Sequence, residues 1–128
     1  MAKLLYIALG GAAGAGLRYV VSLAALRLGG AGFPWGTLVV NVVGSLFAGF
    51  IWGLLDETTG QQRTNAFFFI GLLGAFTTFS AYSLESMRLF NDDRTMMAVV
   101  NVLANNVGAI LAVFAGFALA RALFPATR

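Results

Sequence analysis

The sequence predicts an all-α membrane protein of four transmembrane helices, the third broken near Gly74–Thr78. Composition is the first reason: of 128 residues, 59% are hydrophobic and only 10% charged, with a mean hydropathy of +0.86. A water-soluble domain carries about a quarter charged residues. Segmentation is the second. The apolar residues gather in four runs, 4–28, 34–55, 63–90 and 95–123, each longer than the roughly 20 residues with which a helix crosses about 30 Å of hydrocarbon. The third is a polar run inside the third segment, GAFTTFSAYSLE, Gly74 to Glu85, with five hydroxyl side chains and a carboxylate. The alternating pattern of a membrane barrel is absent, and the four helices use nearly all of a single domain, residues 1–128, leaving no room for a nucleotide site.

The first helix, from Leu4 to Leu28, holds Arg18 within its apolar stretch. A signal-peptide core would not place an arginine there, so the segment is read as a retained helix. An arginine at the membrane centre costs about 2.5–3.5 kcal/mol on insertion scales and needs a partner or a water-filled vestibule. Arg18 therefore reads either as functional, an electrostatic attractor for an anion or a ligand for another chain's carbonyls, or as structural, paired with Glu85 or a helix end or snorkelling to an interface.

The second helix follows the Gly-rich turn LGGAGFPWG, with Pro34 at its start. Asn41 interrupts LVVNVVGS, offers two amide hydrogens and shares a helix face with Thr37, Gly44 and Ser45. In the third helix, Gly71 and Gly74 precede the β-branched pair Thr77–Thr78, a combination that weakens helical continuity. A broken helix exposes carbonyls that attract cations and N–H groups that attract anions. Beyond the break, Phe79 and Tyr82 fall on one face and Ser80, Ser83 and Ser86 on another. The rims of aromatic rings are electropositive and suit an anion stripped of water, although an aromatic pair at this spacing also suits plain core packing. Asn101, Asn105 and Asn106 mark the fourth helix, with Gly108 and Ala109 forming a small-residue face beside Asn105. Any one of these asparagines has an interhelical hydrogen bond as its simplest role.

DETTGQQR and NDDR read as polar turns, and Pro125 lies just past the fourth helix. Tyr6, Trp35 and Phe124 sit near helix ends as interfacial aromatics do. Small residues four apart, Gly10 with Gly14, Ser45 with Gly49 and Gly49 with Gly53, suit close helix packing.

Cysteine and histidine are both absent, which removes thiolate ligands, disulfides and the usual proton shuttle. The net charge of +3 is spread over the loops, so no nucleic-acid partner is expected. With the N-terminus inside, Lys3, Arg63, Arg121 and Arg128 lie on the inner side and Arg27, Arg88 and Arg94 on the outer. Four against three is almost no orienting bias, compatible with one-way insertion or with insertion both ways and an antiparallel homodimer. Several interior donors, one buried arginine and few acceptors favour an anion path, since a cation path presents carboxylates.

On GGAAGAGLRY, FPWGTLVVNVVGS, GLLGAFTTFSAYSLE and the Asn–Gly stretch of the fourth helix, the chain resembles the CrcB/Fluc family of small fluoride channels. The resemblance implies an antiparallel, dual-topology homodimer with two fluoride pores in the lipid of a bacterial cytoplasmic (inner) membrane, exporting fluoride passively and not acting as an enzyme. It implies that Asn41 is the pore asparagine and that Phe79 matches the first of two pore phenylalanines, the second being Tyr82 here. Thr37, Ser83, Glu85, Arg18 and, in place of helix-four serines, Asn105 complete the implied fluoride pore. Gly74 and Thr77 match residues whose backbone carbonyls hold a structural sodium ion at the dimer interface, with Ala75 where the family has a further glycine. The rival reading is a small dual-topology, proton-coupled multidrug or guanidinium exporter. Such a protein needs a carboxylate in its first helix, where this chain has Arg18. A non-transporting assembly subunit is a third possibility, for which the glycine-rich faces would suffice.

Overall fold

The computed structural model describes residues 1–55 and 62–124, and within them the chain is entirely helical apart from short turns. Helix α1 spans Ala2–Gly29 and α2 spans Trp35–Leu54. The third crossing is composite. It opens with one α-turn, α3 (Gln62–Asn65), continues as a π-helix over Ala66–Leu73, and closes this first arm with α4 (Gly74–Phe76). After an extended step at Thr77–Thr78 it resumes as α5 (Phe79–Asn91), and α6 spans Thr95–Leu123. Four helical stretches, Ala2–Gly29, Trp35–Leu54, Arg63–Asn91 and Thr95–Leu123, are long and apolar enough to cross a membrane. The DETTGQQR turn, apart from Arg63 at its end and the backbone of Gln62, lies outside the described residues, as do Pro125 and Arg128.

Burial is inverted relative to a water-soluble protein. Asn101 is completely buried, whereas Phe114 is 68% and Leu111 63% exposed. Polar groups turn inward because hydrocarbon offers them no partners, and apolar side chains face outward at no cost in lipid.

Backbone proximity at glycine fixes the packing. A Cβ on Gly49 would collide with the Val113 carbonyl, and one on Gly116 with the Leu46 carbonyl. Together with the contacts of Gly53 against Phe117 and Ala120, these run α2 and α6 side by side in the same direction. In the same way Gly10 and Gly14 bring α1 onto the π-helix at Phe67 and Leu72, and Gly71 lies 3.0 Å from Gly10 Cα by the position a Cβ would take. Small-residue contacts of this kind replace the hydrophobic effect as the source of helix association within lipid.

The interruption of the third crossing falls at Thr77–Thr78. This lies within the expected range Gly74–Thr78, and Gly71 and Gly74 themselves stay helical. Gly71 admits the backbone of α1 at close range, so its missing side chain serves packing. At the turns, Gly30 takes φ 76° to end α1 and Asp93 takes φ 59° in NDDR. A short polar side chain tolerates that left-handed region better than most.

Candidate functional site

Thr77 N–H still bonds the Leu73 carbonyl at 3.0 Å, completing the last helical turn of the first arm. Thr78 then swings to φ −152°, ψ 125° and becomes the N-cap of α5, its hydroxyl oxygen accepting from Ala81 N–H at 3.2 Å. Its own N–H, which in a continuous helix would bond the Gly74 carbonyl, instead donates to Asn41 Oδ1 at 2.8 Å. Asn41 Nδ2 donates back to the Thr78 carbonyl at 2.9 Å. One side chain on α2 thus supplies the acceptor that the break takes from the Thr78 N–H, and adds a donor to its carbonyl.

A polar chain extends from this clasp. Asn41 Nδ2 donates its second hydrogen to Asn105 Oδ1 at 2.8 Å. Asn105 Nδ2 donates to the Asn101 carbonyl at 3.0 Å and to Asn101 Oδ1 at 2.9 Å. Asn101 Nδ2 reaches Ser86 Oγ at 2.9 Å, and Ser86 Oγ donates to the Tyr82 carbonyl at 2.8 Å. Buried polar groups linked in this way hold α2, α5 and α6 in one register.

Beside the chain lies a cavity of about 240 Å³ lined by Asn41, Thr78, Phe79, Tyr82, Asn105 and Asn106, among others. Phe79 and Tyr82 meet edge to face, their centroids 4.8 Å apart and planes at 82°. Tyr82 is buried, while Phe79 is 72% exposed beside the polar residues. Ser45 and Thr77 also line the cavity, although the Thr77 hydroxyl donates to the Leu73 carbonyl at 2.9 Å.

Of the residues singled out in the sequence, Asn41, Phe79, Tyr82, Asn105 and Thr77 meet at this cavity. Thr37 and Glu85 form a separate pair toward the start of α2, Thr37 Oγ1 donating to Glu85 Oε1 at 2.6 Å. Glu85 Oε2 is buried without a partner among the described residues, so within one chain it is not paired with Arg18. That carboxylate lines a second cavity of about 220 Å³, beside Arg88 and Asp92 near the turn between α1 and α2. Arg18 is half-buried on α1 and does not line the Asn41 cavity. Ser83 returns its hydroxyl to the Phe79 carbonyl at 3.0 Å. Gly74 is exposed at the end of the first arm, its carbonyl deprived of the Thr78 N–H.

Sequence reasoning missed Thr78 as cap and clasp partner. The signal was present: a threonine immediately before the point where a broken helix resumes is a preferred N-cap.

Fold and site together define a multi-pass membrane protein whose interrupted third crossing presents a buried, donor-rich polar centre. The chain matches the family described as "CrcB-like protein, Camphor Resistance (CrcB)" over residues 5–117. It is 47% identical over 124 residues to a fluoride-specific ion channel FluC of Sphingopyxis alaskensis, covering 96% of this chain and 98% of the relative. The FluC proteins of Agrobacterium fabrum (45% identical, 97% and 100% covered) and Mesorhizobium japonicum (42%, 96% and 99%) are similarly related. The chain belongs to the CrcB family.

Proposed function

We propose that this protein is a fluoride-selective channel of a bacterial inner membrane, which lets fluoride leave the cytoplasm passively and so lowers its toxicity. Membership of the CrcB family, with FluC relatives matched over nearly their full lengths, carries the reading. A multi-pass protein with a polar cavity at a helix interruption is suited to it. The exporter considered as a rival lacks this support, and Arg18 occupies the helix where its carboxylate would stand.

Fluoride must exchange a tightly held water shell for protein donors. Thr78, Phe79 and Tyr82 line the cavity, and their hydroxyls and electropositive ring rims are groups suited to that exchange. Asn41 Nδ2 reaches the anion by releasing Asn105 Oδ1, because both its hydrogens are already committed. Arg18 acts at a distance, raising the local anion concentration. Thr37, Glu85 and Ser83 belong to the approach along α2 and α5, away from the Asn41 cavity. No step needs a coupled proton, since a potential of 100 mV, negative inside, favours loss of each anion by about 2.3 kcal/mol.

A second copy in the opposite orientation would complete the pore. The 72% exposure of Phe79 beside buried amides and the weak charge bias both favour that arrangement. The Gly74 and Thr77 carbonyls fit a sodium ion in kind: they are neutral oxygens beyond the last helical hydrogen bond. Bound there, the ion would supply a fixed positive charge that joins the two helix ends. Fluoride release from liposomes loaded with potassium fluoride, started by valinomycin, tests the function. Rapid release is expected, and none from folded protein would refute it.

A further inference from the structure

The amide donors around the cavity are already committed. Both Asn41 hydrogens go to Thr78 O and Asn105 Oδ1, and both Asn105 hydrogens go to Asn101. The Tyr82 hydroxyl is placed differently. Its oxygen accepts from Asn106 Nδ2 at 3.3 Å, and Asn106 is itself anchored by donating to the Val102 carbonyl at 2.7 Å. A hydroxyl that accepts on one side keeps its proton for the other. None of the described residues accepts that proton, and the ring that carries it is buried and set edge to face against Phe79. A phenol is a stronger hydrogen-bond donor than the aliphatic hydroxyls of Ser45 and Thr78, and hydrogen bonds to an ionised acceptor are roughly twice as strong as neutral ones.

Resting on the fluoride-channel reading, we infer that the Tyr82 hydroxyl is a direct donor to the permeating fluoride and that Asn106 is the positioning residue that aims it. The phenol then sets how tightly this channel holds its ion, because it donates without first giving up a bond, as Asn41 must.

The test is fluoride current against fluoride concentration, in bilayers containing the wild-type channel, Tyr82→Phe, Asn106→Leu and the double variant. Tyr82→Phe removes one oxygen and keeps the ring. It should raise the half-saturating concentration at least threefold while fluoride current persists. Asn106→Leu, on an exposed face of α6, should shift the curve in the same direction. Added to Tyr82→Phe, it should produce no further shift, because the two residues act as one unit. A Tyr82→Phe curve with unchanged half-saturation overturns the inference, even if the maximal current falls. An Asn106→Leu shift that survives intact in the Tyr82→Phe background also overturns it. Absence of fluoride current in the wild type would instead defeat the channel reading, so the two failures are distinct.

Discussion

Asn41 grips Thr78 by both ends of its amide: Oδ1 accepts the Thr78 N–H at 2.8 Å while Nδ2 donates to the Thr78 carbonyl at 2.9 Å. The side chain of one crossing thereby stabilises the broken backbone of another. A helix interruption in hydrocarbon is tolerated only where its freed groups find such partners. The polar centre therefore exists because α2 and the third crossing are held together, and the glycines of α2 hold α2 to α6 in turn.

Replacing Asn41 by Asp removes the donor and sets a carboxylate against the Thr78 and Asn105 oxygens it now bonds. A buried group left unpaired costs about 1–3 kcal/mol, and a negative charge repels the permeating anion. Fluoride efflux from Asn41→Asp proteoliposomes should fall at least tenfold. Efflux at the wild-type rate would remove Asn41 from the path.

Phe79 offers a ring rim beside the cavity without burying itself. Phe79→Ile keeps the bulk apolar and discards the quadrupole, so stability should hold while fluoride efflux slows about tenfold or more. The same proteoliposome assay checks the rate, and gel filtration in detergent checks the fold.

The glycines separate packing from function. Gly49→Val would drive side-chain atoms into the Val113 carbonyl, and the protein should lose monodispersity on gel filtration. Gly11→Ala meets nothing within 4 Å and should behave as wild type in the same experiment. If Gly49→Val elutes normally, the close α2–α6 contact is wrong.

Thr37→Val leaves Glu85 Oε1 without its 2.6 Å donor while Oε2 already lacks one. The loss should destabilise the folded protein by about 1–3 kcal/mol, and Thr37→Ser, which keeps the hydroxyl, should restore it. Thermal unfolding in detergent reads the difference; equal midpoints for the valine variant and wild type would contradict it.

Much of this was legible in the sequence, and for identifiable reasons. The crossings stand out because apolar length is a one-dimensional property. Asn41, Phe79, Tyr82 and Asn105 stand out because polar or paired aromatic residues are conspicuous in apolar helices, and they do meet at one cavity. The committed state of the amides was not legible, since it depends on which asparagine of α6 faces α2. Nor was the π-helix over Ala66–Leu73, because the spacing of an apolar run such as AFFFIGLL does not reveal an extra residue per turn. The break was legible, falling at Thr77–Thr78 within the expected range, whereas the packing role of Gly71 was not, because a missing Cβ reveals nothing of the α1 backbone that approaches it.

Passive, selective passage of fluoride is tested most directly by the reversal potential of purified protein in a planar bilayer, with fluoride on one side and chloride on the other. A current reversing far toward the fluoride equilibrium potential, and unmoved by a pH gradient, is expected. Reversal near zero, reversal that follows chloride, or reversal that tracks pH would contradict it.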